Sequence, residues 1–122
     1  MIACDAAGAP PPGAGEACPQ PWVLSEGRRV RLDEMIGWNF ALLVCELEIS
    51  QGNRDRAKRL NVVLCEFGEL ILREEDGVLR EWLASLGGRA VLARPDHVVF
   101  GVAADDDGVG ALFDQLEAWI EA

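Results

Sequence analysis

The sequence contains no Cys-x-x-Cys pair and only one histidine, His97, and these two absences exclude the commonest cysteine-based sites. Its four cysteines are separated by 14, 27 and 20 residues and lie at Cys4, Cys18, Cys45 and Cys65. This spacing matches neither a zinc-ligand pattern nor a dithiol redox motif. We therefore expect reduced thiols in a reducing compartment, and we expect no metal site.

Long apolar runs are also missing. No run of about 18 apolar residues occurs, so the sequence predicts no transmembrane helix. The first residues, MIACDAAGAPPPGAGEA, contain neither the basic segment nor the apolar segment of a signal peptide. We therefore expect a cytoplasmic protein.

Positive charge is scarce. The 11 Lys and Arg residues are outnumbered by 21 Asp and Glu residues, which gives a formal net charge of −10. Because such a chain repels phosphate, binding to nucleic acid or to an anionic membrane surface is not expected. The sequence also lacks the Gly-x-Gly-x-x-Gly, P-loop and Gly-x-Ser-x-Gly motifs. It therefore predicts no cofactor site on this chain.

A chain of 122 residues has the length of one domain. Residues 1–19 are rich in Ala, Gly and Pro and poor in large apolar side chains, which predicts a flexible arm or linker. Residues 20–122 form the predicted domain. It begins with two short strands joined at Glu26-Gly27. One helical turn, capped by Asp33 and ended by Gly37, should follow.

Residues 40–47 are almost continuously apolar, as in a central strand that is covered on both faces. A helix capped by Ser50 or Asn53 should follow. Residues 62–64 suit either the end of this helix or a strand. Of the two, we favour the helix, followed by a strand at residues 69–74.

The C-terminal half is patterned more clearly. Residues 79–86 carry apolar side chains at helical spacing, and residues 89–93 and 97–103 predict an antiparallel hairpin around Arg94-Pro95-Asp96. A last amphipathic helix follows Asp105–Asp107. The predicted fold is therefore α/β, a thioredoxin-like mixed sheet with helices on both faces, preceded by an N-terminal β-hairpin.

Cys45 lies at the end of the first central strand, where a thioredoxin-type enzyme would carry its reactive thiol. Glu46 and Glu48 disfavour a thiolate there, and no second cysteine is near enough to resolve a mixed disulfide. Gly88-Arg89 also stands where thioredoxins have their cis-proline. We interpret Cys45 as a buried structural residue and keep a single-thiol redox role for it as the alternative.

Three segments, GEACPQPWV, GRRVRLDEMIGWNFALL and RAVLARPDHVVFGVA, occur in this order. The sequence over roughly residues 13–120 resembles one known family. The short motifs that carry this resemblance are Pro19-Gln20-Pro21, Leu32-Asp33 with Gly37, and Arg94-Pro95-Asp96. This family is the C-terminal thioredoxin-like domain of FAD-dependent aromatic-ring monooxygenases, the group of phenol hydroxylase and 3-(3-hydroxyphenyl)propionate hydroxylase.

The resemblance implies a parent enzyme that hydroxylates phenolic substrates with FAD, NAD(P)H and oxygen. The FAD-binding catalytic domain, in the same or a separate chain, would then be the partner of this domain. The implied role is packing and subunit contact, as in a dimer or another homo-oligomer, and no catalytic residue is carried over. The Gly/Pro-rich start suits an interdomain linker.

A stand-alone acidic interaction or dimerisation module is a further alternative. The candidate interface residues are aromatic, because a contiguous aromatic patch on a soluble chain marks a contact surface. They are Trp22, Trp38 and Trp119.

Overall fold

The computed structural model describes residues 17–18, 22–25, 28–67, 73–74 and 78–121. Its elements in chain order are β1 (Trp22–Ser25), β2 (Arg28–Arg31), α1 (Leu32–Ile36), β3 (Ala41–Cys45), α2 (Gln51–Arg59), β4 (Val63–Phe67), β5 (Arg73–Glu74), α3 (Val78–Ser85), β6 (Ala90–Ala93), β7 (Val99–Ala103) and α4 (Asp106–Glu121). Apart from residues 17 and 18, the predicted arm at residues 1–19 lies outside the described residues, and its assignment stays a prediction. No described helix is both long and apolar enough to cross a membrane.

The main sheet has four strands in the order β4-β3-β6-β7. β3 is parallel to β4 and antiparallel to β6, and β6 and β7 form the predicted antiparallel hairpin. All five residues of β3 are buried, which explains why this segment is continuously apolar. The predicted α/β fold with a mixed sheet is confirmed.

The smaller sheet has the order β2-β1-β5. β1 and β2 form the predicted N-terminal hairpin, in which Val23 pairs with Val30. α1 begins at Leu32, so Asp33 lies inside the helix instead of preceding it. Gly37 follows the helix with φ of 66°, as expected for a residue that ends a helix in the left-handed region.

The segment after α2 corrects the favoured prediction. α2 begins after the N-cap Ser50 and ends at Arg59, and Val63 already belongs to β4, so the helix does not continue to Leu64. The local sequence suited both structures, and parallel pairing with β3 decides between them. Of the strand predicted at residues 69–74, only the last two residues are described. They form β5, which pairs with β1 and not with the main sheet.

Helices cover both faces of the main sheet, as predicted. Neighbouring residues of β3 point to opposite faces, so Leu42 packs with α2 and α4 while Leu43 packs with α1, α3 and β1. The first core contains Leu42, Val44, Leu92, Phe100, Val109, Phe113 and Leu116, and the second contains Val23, Leu32, Leu43, Leu79, Leu83, Val91 and Val99.

Candidate functional site

The candidate residues lie at opposite ends of β3. Trp38 and Phe40 come just before its first residue, and Cys45 is its last residue. A strand of five residues is roughly 15 Å long, so the two ends are separate surfaces. We call them the aromatic end and the Cys45 end.

The aromatic end is formed by Trp38, Phe40, Trp119 and the turn at residues 94–96, which surround a cleft of about 230 Å³. Trp38 is 77% exposed and Trp119 is 47% exposed. The Phe40 ring lies 6.1 Å from the Trp119 ring and 6.2 Å from the ring of the buried Phe100, measured between centroids. The surface aromatics are therefore continuous with the core.

The turn before β3 holds Trp38 at the surface. Gly37 adopts its left-handed conformation directly after α1, and the side-chain amide of Asn39 donates a hydrogen bond to the carbonyl oxygen of Ile36 at 3.0 Å. This closes the turn, so that Trp38 projects from a constrained backbone.

The other side of the cleft is the β6–β7 turn. Arg94 forms an ion pair with Asp96 at 2.6 Å, so the two charges cancel within the turn. The second oxygen of Asp96 accepts the backbone N–H of Val98 at 3.3 Å. His97 has φ of 66° and donates its backbone N–H to the carbonyl of Arg94 at 2.8 Å. His97 is therefore part of the turn, which agrees with its position after Arg94-Pro95-Asp96.

The Cys45 end is dominated by charged side chains. Cys45 is only 6% exposed, and its backbone N–H donates to the carbonyl of Arg89 at 2.7 Å. Its neighbour Glu46 pairs with Arg80 at 2.9 Å and accepts the Arg89 guanidinium on its carbonyl oxygen at 3.1 Å. Both arginines beside this cysteine therefore interact with Glu46.

The two other described thiols are buried in the same core as Cys45. Burial raises the pKa of Cys18 to about 12 and the pKa of Cys65 to about 11. Both thiols are consequently protonated at neutral pH, whereas a reactive cysteine needs a lowered pKa.

The carboxylates of α4 hold this helix to α2. Asp114 pairs with Arg56 at 2.7 Å, and Glu117 pairs with Arg59 at 3.0 Å. The hydrogen bond from Arg59 and the nearby charge of Arg56 lower the pKa of Glu117. Sequence reasoning missed these pairs, because their partners are more than 50 positions apart and no local spacing reveals them.

Asp105 precedes α4 as predicted and caps it, since its carboxylate accepts the backbone N–H of Gly108 at 2.7 Å. Asp106 and Asp107 lie inside the helix instead of before it, because the cap is formed by the first of the three aspartates. Within the described part of the chain, no group of three or more His, Cys, Asp or Glu side chains could hold a metal ion.

The family follows from one match that covers most of the chain. The model of the HcaD C-terminal domain matches residues 15–118. The chain belongs to this family. No curated protein matches it.

Three solved structures are similar to this HcaD C-terminal domain in fold. The flavin-dependent monooxygenase PieE, solved with FAD and substrate, has a TM-score of 0.62 at 22% identity over 88% of this chain. OxyS anhydrotetracycline hydroxylase from Streptomyces rimosus has a TM-score of 0.59 at 26% identity over 88%. Aklavinone-11 hydroxylase, solved with FAD and aklavinone, has a TM-score of 0.56 at 19% identity over 93%.

The matches cover 20% of PieE, 21% of OxyS and 25% of aklavinone-11 hydroxylase, so the chain spans a fifth to a quarter of their length. The resemblance to the C-terminal domain of FAD-dependent monooxygenases is thereby confirmed.

In this HcaD C-terminal domain, the structure brings together two of the three tryptophans named from the sequence. Trp38 and Trp119 line one cleft although they are 81 positions apart (119 − 38). Trp22 lies in β1, and its side chain is outside the described residues. Cys45 lies at the opposite end of the sheet from both.

Proposed function

We propose that this chain is a non-catalytic, thioredoxin-like accessory domain of a FAD-dependent aromatic hydroxylase. Its role is packing or oligomerisation, and the reaction of a phenolic substrate with FAD, NAD(P)H and oxygen belongs to the catalytic part. The observation that carries this proposal is the match of residues 15–118 to a family named as a C-terminal domain. The similarity to only about a fifth of PieE and OxyS supports it.

The chemistry of the described residues agrees with such a role. The thiols of Cys18 and Cys65 are buried and protonated, and Cys45 is nearly inaccessible. Asp106 and Glu117 are engaged in contacts between helices. The two carboxylates therefore serve the fold, and the raised pKa values of Cys18 and Cys65 are the opposite of what a cysteine nucleophile requires.

The experiment is size-exclusion chromatography of native extract from the source cells, followed by an antibody to this domain and by flavin absorbance. We expect the antibody signal to elute together with flavin at a mass several times that of the 13.2 kDa chain. Elution at the mass of the chain itself, without flavin, would contradict the proposal. Purified chain incubated with FAD, NAD(P)H and phenols serves as the control and should show no hydroxylation.

A second candidate function is a stand-alone interaction module, favoured by the exposure of Trp38 and Trp119. Exposed tryptophans are typical of contact surfaces under either proposal. The two proposals differ in the partner, because only the accessory domain requires a flavin-containing one. The chromatography experiment therefore separates them.

A further inference from the structure

We infer that the aromatic end is the surface by which this domain docks on the FAD-binding catalytic part. The inference rests on the proposed function and adds the location of the contact. It concerns Trp38, Phe40, Trp119 and the turn at residues 94–96.

The aromatic end leaves apolar side chains in contact with water. Trp38 and Trp119 line the same cleft, and the first is largely exposed while the second is about half exposed. Ile120, the next residue in the sequence, is exposed as well. Each tryptophan can bury a large apolar area on association, and a contiguous patch of this kind marks an interaction site. Tryptophan is also enriched among the residues that contribute most of the affinity in protein interfaces.

The aromatic end is also preorganised for binding. Gly37 and the hydrogen bond from Asn39 to Ile36 constrain the backbone that carries Trp38. Phe40 packs between Trp119 and the buried Phe100, so the Trp119 ring is connected to the core through Phe40. A surface that is already ordered loses less conformational entropy when it binds.

Charge favours the catalytic part over a second copy of the chain. Each copy carries a formal charge of −10, so two copies repel one another at long range. The aromatic end itself suits an apolar and uncharged partner surface, because Arg94 and Asp96 neutralise each other. At the Cys45 end, in contrast, the carboxylate of Glu46 balances only one of the two arginines, Arg80 and Arg89, so a net charge remains.

The path of the chain points to the same partner. Ala17 pairs with Val98, and the backbone N–H of Cys18 donates to the carbonyl of His97 at 2.7 Å. The chain therefore arrives beside the turn that lines the cleft. In a C-terminal domain the catalytic part precedes this point, so the connection holds it at a high effective concentration next to the aromatic end.

The test is hydroxyl-radical footprinting read by mass spectrometry. The flavin-containing species that carries this domain is purified from source extract and compared with the isolated 122-residue chain. We expect oxidation of Trp38 and Trp119 to fall several-fold in the flavin-containing species. Leu24, which is 39% exposed on the smaller sheet, is the matched control and should be oxidised equally in both.

A variant sharpens the result. Trp38→Ala in the flavin-containing species should raise the oxidation of Trp119 towards its level in the isolated chain, whereas Leu24→Ala should not. In the reciprocal variant, Trp119→Ala, the oxidation of Trp38 is measured and should rise in the same way. Circular dichroism of each isolated variant verifies that it is folded.

The remaining outcomes overturn the inference in different ways. If both tryptophans are oxidised in the flavin-containing species as in the isolated chain, the surface is wrong and the proposed function stands. If no flavin-containing species carries the domain, both fail. If oxidation of these tryptophans in the isolated chain falls as the concentration of the chain is raised, a second copy occupies the surface.

Discussion

The carboxylate of Asp106 lies 2.9 Å from the side-chain amide nitrogen of Asn53, so the first turn of α4 is tied directly to the first turn of α2. The same oxygen accepts the backbone N–H of Ser50 at 2.9 Å. Asn53 is only 8% exposed and therefore depends on this partner for its hydrogen bonds. The Asp106 side chain thus joins the start of α4 to the start of α2.

Replacing Asp106 should destabilise the fold. We expect Asp106→Ala to lower the free energy of unfolding by about 1–2 kcal/mol, because the buried Asn53 amide and the Ser50 N–H lose their acceptor. The backbone carbonyl of Asp106 still accepts Asn53 at 3.0 Å, which limits the loss. Urea unfolding followed by circular dichroism measures the change. The control is the exposed neighbour Asp107, because Asp107→Ala should change the free energy of unfolding by less than about 0.5 kcal/mol. Equal losses of stability in the Asp106→Ala and Asp107→Ala variants would contradict the contact.

Acid should destabilise the contact between α2 and α4. The pKa of Asp106 is lowered from 3.8 by the Ser50 N–H and the Asn53 amide, and the pKa of Glu117 is lowered from 4.5 by Arg59 and Arg56. A group with a lowered folded-state pKa stabilises the fold above its unfolded pKa, and this contribution is lost as the pH falls through the folded-state pKa. We therefore expect the urea midpoint to decrease below about pH 4.5.

The control for this pH dependence is the Asp106→Asn variant, which cannot titrate at that position. Its midpoint should fall less steeply than that of the unaltered chain over the same acid range. Parallel curves for the two proteins would show that Asp106 does not contribute.

Two glycines should respond to alanine in opposite directions. A Cβ atom at Gly88 would collide with the side chain of Val102 and come within 3.3 Å of the carbonyl oxygen of Ala103, so Gly88→Ala should destabilise the fold by about 1–3 kcal/mol. At Gly52 in α2 nothing lies within 4 Å of such an atom. Gly52→Ala should therefore stabilise the fold by about 0.4–1 kcal/mol. Thermal unfolding of both variants measures the changes, and a shift of the same sign in both would refute the packing at Gly88.

Thiol reactivity tests the role of Cys45. In a Cys4→Ser background, the three remaining cysteines are buried in the folded state. We expect slow modification by a disulfide reagent at pH 7 and rapid modification of all three after unfolding in urea, because access to each thiol requires opening of the fold. Mass spectrometry identifies the modified residue. Rapid and selective modification of Cys45 in the native chain would favour the single-thiol redox alternative.

Local patterns determined much of this fold. The continuous apolar run at residues 40–47, the helical spacing after Gly77 and the Pro-containing turn at residues 94–96 each specify one element without help from distant residues. The hairpin at residues 22–31 and the last helix are equally local. Hydrophobic periodicity and turn chemistry are properties of neighbouring residues, which is why they can be read along the chain.

Tertiary structure decided what local patterns left open. Residues 63–67 form a strand because β3 offers a parallel partner, and their own composition did not distinguish a strand from the end of a helix. The clustering of Trp38 with Trp119, the tie between Asp106 and Asn53, and the separation of Cys45 from the aromatic end also arise only when distant segments pack. A side chain's neighbours in space are set by strand order and helix packing, and a single sequence does not state those long-range pairings.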